Sequence, residues 1–166
     1  MKKSWASLCF FCLIIMQTTN IQAQKIEKKI NILWKENITH TISDDESQEI
    51  LTFTGAAYGI DFPFLPCYFE RIALDIFYKD FDVSISDIRY ENLNARDAAL
   101  IPSDYHCRQL KINAVSVYER STPFLSLSFI PIIETGDKQY NRVTSLTITL
   151  TGKNAKVEKS TRSYAS

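Results

Sequence analysis

Glycine is scarce in this chain, four in 166 residues, and a sequence so poor in it offers no loop to cradle a phosphate on bare backbone amides. An excess of either charge is lacking too. The 19 basic residues balance the 19 acidic ones, so no basic field exists to capture nucleic acid or an anionic lipid surface. The apolar run at residues 8–16 falls short of the ~20 residues a membrane helix needs. Histidine occurs only at positions 40 and 106, and no internal repeat at a fixed period is visible.

What is present begins with a processing signal. Lys2 and Lys3 precede that apolar run, and Ile21-Gln22-Ala23 ends on a small residue, the pattern of a secretory signal peptide over residues 1–23 with cleavage after Ala23. The remaining 143 residues from Gln24 to Ser166 carry 17 basic against 19 acidic groups, a net charge of −2. They suffice for one domain burying roughly two-thirds of its unfolded surface. Cys9 and Cys12 leave with the signal, so Cys67 and Cys107 remain. An even pair in an exported chain suggests one disulfide, and closing a loop of about forty residues would stabilise by roughly 4 kcal/mol. Two buried free thiols are the alternative, since spacing alone does not place the Cα atoms within bonding distance.

Alternation of apolar and polar residues, stronger than any 3.6-residue period, predicts about seven strands. They fall at residues 26–34, 48–54, 68–76, 83–91 and 111–119, with two more in a long C-terminal hairpin over residues 124–150. In that hairpin Leu125, Leu127 and Phe129 alternate with serines, Thr135-Gly136-Asp137-Lys138 supplies a turn, and Leu146, Ile148 and Leu150 alternate with threonines. A two-stranded ribbon of this kind is not stable alone, so the other strands must cover it. Pro131 should mark an edge or bulge. Within 83–91 the phase changes between Ile85 and Ile88, which predicts a bulge near Asp87. Residues 37–47 read as a polar connection, 92–100 as one helical turn, and 152–166 as a polar linker or disordered tail. The domain should therefore span residues 24–151. The class is all-β, an antiparallel β-sandwich.

The residues assemble no catalytic constellation. His106 adjoins Cys107, but neighbours on an extended chain point to opposite faces, a poor geometry for a nucleophile and its base. His40, in a polar stretch, reads as a solvated surface residue. Asp44, Asp45, Glu46 and Glu49 lack the central glycine of a calcium loop, and no carboxylate pair has an acid–base spacing. No metal or cofactor is expected. The aromatics around the proline loop, Phe62, Phe64 and Tyr68 foremost, could form a sugar- or peptide-binding platform or simply pack. Asn37-Ile38-Thr39 matches a glycosylation triplet.

A resemblance adds to this. Ile50-Leu51-Thr52-Phe53-Thr54-Gly55-Ala56-Ala57-Tyr58, then Leu65-Pro66-Cys67-Tyr68, then Tyr118-Glu119-Arg120-Ser121-Thr122-Pro123, Leu127-Ser128-Phe129-Ile130-Pro131-Ile132 and Arg142-Val143-Thr144-Ser145-Leu146 resemble the N-terminal region of the PorU-type sortase of the type IX secretion system of Bacteroidetes. The ending Arg162-Ser163-Tyr164-Ala165-Ser166 is similar to that family's linker into its next domain. Members are gingipain-like cysteine peptidases that cleave the C-terminal sorting signal from cargo at the outer membrane and join the cargo to anionic lipopolysaccharide. Their catalytic histidine and cysteine lie in a later caspase-like domain, and neither His106 nor Cys107 matches that motif. The resemblance thus implies a non-catalytic front domain, truncated or split from its peptidase. It would be periplasmic, outer-membrane-associated or at the cell surface, with a peptidase domain or an outer-membrane secretion component as partner. A gingipain-type prodomain, or a free-standing exported carbohydrate- or peptide-binding module, is the alternative.

Overall fold

The computed structural model describes residues 24–43, 46–59 and 61–156. The expected signal peptide, Asp44, Asp45 and the last ten residues lie outside these. In chain order the elements are β1 (Lys25–Asn31), β2 (Ile38–Ser43), β3 (Glu46–Ile50), β4 (Ala57–Tyr58), β5 (Pro66–Ala73), β6 (Phe77–Asn92), α1 (Ala95–Ala98), β7 (Asn113–Glu119), β8 (Thr122–Phe129), β9 (Ile132–Gly136) and β10 (Gln139–Lys156). The strands form one sheet in the order β1-β10-β6, with β9 also on β10, a second in the order β4-β5-β8-β7, and a separate ribbon β2-β3. Every strand pair is antiparallel. No helix among the described residues is long and apolar enough to cross a membrane.

The all-β expectation holds, but the long hairpin is corrected. Its turn forms where predicted, and β9 pairs with β10 from Gly136 opposite Gln139 to Ile132 opposite Arg142. Beyond that the arms part: β8 joins β5 and β7, while the rest of β10 joins β1 and β6. Pro131 sits in the gap between β8 and β9 where the chain leaves one sheet for the other, so its missing N–H interrupts no ladder. Alternation specifies which side chains turn inward, and that is the same for a flat hairpin and for two strands facing across a sandwich. Leu125, Leu127, Phe129, Leu146, Ile148 and Leu150 accordingly share one buried cluster with Ile30, Ile32, Phe53, Leu74 and Tyr78. A second cluster joins Leu51, Leu65, Ile101, Tyr105, Ile132 and Tyr140.

Other boundaries move for local reasons. The bulge forms as the phase change predicts. Ser86 lies opposite Thr147 and Arg89 opposite Ser145, so Asp87 and Ile88 share the space facing Leu146, and Asp87 takes a left-handed φ of 52°, which aspartate tolerates better than a branched residue. Residues 37–47 are not a mere connection: β2 pairs with β3, yet Thr39, His40 and Thr41 are exposed on it. At these positions β2 therefore has backbone pairing without the burial that would mark it as apolar. Strand pairing also runs past residue 151. β10 continues to Lys156 opposite Phe77, because Gly152 lets the Tyr78 ring lie against the strand. A Cβ there would meet Tyr78 Cδ1 at 2.3 Å.

One inward position of β5 is charged. Glu70 stands opposite the buried Leu127 and accepts hydrogen bonds from Lys28 Nζ on β1 of the other sheet and, at 2.6 Å, from Tyr68 Oη. Burial pushes the Glu70 carboxyl up, but the Lys28 and Tyr68 hydrogen bonds and the Lys28 charge outweigh it and hold the group below the ordinary glutamate value. A depressed folded-state pKa stabilises above the unfolded pKa, and that stability is lost as pH falls through the folded value. Glu70→Gln should cost about 1 kcal/mol at pH 7, discounted because the pair is partly exposed. The difference from the parent should shrink below about pH 4. Urea unfolding at pH 7 and pH 3.5 checks both.

Candidate functional site

Chemistry-bearing side chains converge at one end of the second sheet. Pro63 and Pro66 keep residues 61–66 out of a helix, and Leu65 N–H closes the loop on Phe62 O at 3.1 Å. Leu65 is fully buried, which anchors the loop so that Phe62 meets Tyr105 edge to face, with centroids 5.1 Å apart. Tyr105 comes from the segment between α1 and β7. Its hydroxyl donates to Ile132 O at 2.7 Å, and burial, then neighbouring Cys107, push its pKa far up, so it stays protonated. The next residues are held by Glu134 N–H donating to Cys107 O at 2.8 Å. α1 upstream is capped by Asn94, whose Oδ1 accepts from Asp97 N at 2.9 Å.

Between these two segments lies a cavity of about 480 Å³, with Phe62, Leu65, Phe129 and Ile130 as apolar walls and Asp61, Asp104, Lys111 and Asn113 as polar groups. Cys67, His106 and Cys107 also line it. The structure thus brings both cysteines to one cavity, where they are free thiols. Each is committed locally: Cys67 Sγ donates to Tyr68 O at 3.3 Å and Cys107 Sγ to Gln109 O at 3.0 Å. Burial pushes the Cys67 thiol pKa up, partly offset by the Phe129 backbone, which leaves it a poor nucleophile at neutral pH. His106 turns away from thiol chemistry, its Nδ1 3.5 Å from Glu134 Oε2, with Arg108 Nε 3.8 Å from the same oxygen. Among the described residues no group of three or more His, Cys, Asp or Glu side chains could hold a metal ion.

The three aromatics singled out from the sequence do not form one platform. Phe62 lines the cavity. Phe64 contacts His40 on the β2-β3 ribbon at a centroid distance of 6.5 Å. Tyr68 stacks on Phe129 at 5.0 Å and faces Glu70. Asn37 of the glycosylation triplet donates through Nδ2 to Asp97 Oδ1 at 2.8 Å, fastening the ribbon's base to α1. Asp104 escaped sequence reasoning because residues 100–110 carry no periodicity that would aim a side chain, and Lys111 and Asn113 because the alternation of the strand they begin does not say which other segments meet it.

No protein-family model matches the sequence, and no curated protein does. Among solved structures the fold is similar to a chain in the complex of Porphyromonas gingivalis RgpB pro- and mature domains. The TM-score is 0.50 and the identity 11%, over 81% of this chain and 90% of that chain. At that identity the likeness is one of fold.

Proposed function

We propose that this chain is an exported, non-catalytic β-domain that packs on a cysteine peptidase domain, as the front domain of a type IX secretion sortase of the PorU type. A gingipain-type prodomain is the closely related second form. The observation that carries this reading is the fold likeness, which spans 90% of a chain in a complex of pro- and mature domains. The commitments of Cys107 to a backbone carbonyl and of His106 to Glu134 support a structural use of both residues.

Two measurements test it. The tagged protein isolated from the host that encodes it should carry a caspase-like cysteine peptidase domain, in the same polypeptide or bound to it, and isolation without one overturns the proposal. The mature chain alone should leave fluorogenic peptides uncut; cleavage abolished by Cys107→Ala would make it an enzyme. The cavity bearing Phe62 favours one other reading, a free-standing binding module, to be recognised by a saturable peptide or oligosaccharide affinity lost on Phe62→Ala.

A further inference from the structure

The outer faces of the two sheets differ in kind. On the β1-β10-β6 sheet the solvent-facing rows are Lys25-Thr151-Asp82, Glu27-Thr149-Ser84 and Lys29-Thr147-Ser86. None of these residues is apolar, which is how a sheet face left in water is built. On the other sheet the corresponding rows are Phe69-Ser128-Asn113, Arg71-Ser126-Val115 and Ala73-Phe124-Val117. Phe69 is 49% exposed, Val115 46% and Val117 38%. Among the aromatic and branched side chains stand Ala73, the short polar Ser126, Ser128 and Asn113, and Arg71, with the Phe124 ring half-buried. The one charge in these rows, Arg71, lies over the Phe124 ring at 4.8 Å and pairs with Glu119 at the patch margin. An apolar centre with a charged rim is the composition of a protein–protein contact surface.

β10 brings the chain to the edge of this face. β10 ends with Lys156 opposite Phe77, and the Phe77 ring stacks on Tyr118 at 4.7 Å with the planes 5° apart. Tyr118 follows Val117 on β7, the edge strand of the apolar face. The ten residues after Lys156 in the sequence can span at most ~36 Å. A domain joined through them would begin within that distance of the margin of the apolar face.

We infer that the outer face of the β5-β8-β7 sheet, centred on Phe69, Phe124, Val115 and Val117, is the surface on which the peptidase domain docks. The inference rests on the function proposed above and adds the face. Photo-cross-linking in the host that encodes the chain tests it, with the reactive side chain placed at Val115 on the apolar face or at Thr149 on the polar one. Mass spectrometry of the linked peptides identifies the partner.

Linkage from position 115, and not from 149, to a caspase-like cysteine peptidase domain is the expected result. Phe69→Glu should lower its yield about tenfold, as loss of a central anchor does, without shifting the thermal unfolding midpoint. Linkage to that domain from 149 and not from 115 overturns the face while the proposed function stands. Linkage to it from neither position overturns both. Linkage from 115 to a second copy of the chain, or to an unrelated protein, also sinks the assignment.

Discussion

Leu127→Asp should abolish cooperative unfolding of the domain, with no sigmoidal transition in urea by tryptophan fluorescence. Leu127 is fully buried on β8, between Glu70 on β5 and Ala114 on β7, and shares its cluster with Ile148 of the opposite sheet. Removing the leucine side chain costs about 2–5 kcal/mol, and an unpaired carboxylate in that layer costs several more. A domain of this size is stable by only about 5–15 kcal/mol, so the substitution takes most or all of it. The nearby Lys28 is already engaged by Glu70, which leaves the new charge without a partner. Ile148→Asp should behave alike, because Ile148 is equally buried in the facing sheet. The control is one residue away: Thr147→Asp lies on the outer face beside Lys29 and should change stability by no more than about 0.5 kcal/mol. If Leu127→Asp melts like the parent, the sandwich core has been drawn in the wrong place.

These variants also separate what alternation reveals from what it leaves open. The inward set of β8 and β10 was readable because a strand with one buried face must repeat every second residue. Their partners were not readable, since the same repeat serves a strand bonded alongside and a strand packed opposite. The turn between Gly136 and Gln139 made adjacency look continuous over the whole segment, when it extends only as far as Ile132 and Arg142. The bulge at Asp87 could be read because an odd spacing between two inward runs has few other geometric solutions.

Where the signal failed, burial was missing. The β2-β3 ribbon pairs through its backbone while Thr39, His40 and Thr41 stay exposed, so residues 37–47 read as a loop. The cavity failed for another reason. It is assembled from the proline loop, the 104–113 segment and the end of β8, and the contact between them depends on Leu65 and Tyr105 meeting in the second apolar cluster. The two cysteines reach that cavity from positions 67 and 107, a meeting that the even cysteine count anticipated only as a bond.

Gly152→Ala carries the other large effect, and it tests the part of the domain that looked like a tail. At Gly152 a Cβ would lie 2.3 Å from Tyr78 Cδ1 and 2.5 Å from its Cε1 and Cγ. The ring cannot swing clear at little cost: Tyr78 is 2% exposed and its hydroxyl accepts from Gln24 N at 2.9 Å. The Gln24 carbonyl in turn accepts from Gly152 N–H at 3.1 Å, so ring, first described residue and glycine form one closed set. Displacing the ring opens the end of the sandwich, and overpacking of this kind costs about 1–3 kcal/mol or somewhat more. Tyr78→Ala alone should cost about 3–5 kcal/mol through the cavity it leaves. In that background Gly152→Ala should be neutral or slightly stabilising, because the obstacle is gone and alanine restricts the unfolded chain more than glycine does. The coupling in the double-mutant cycle should therefore reach about 2 kcal/mol, read from urea midpoints at constant slope. Additive effects would mean that β10 does not run past Gly152 against Tyr78, and that the ordered domain ends near residue 151.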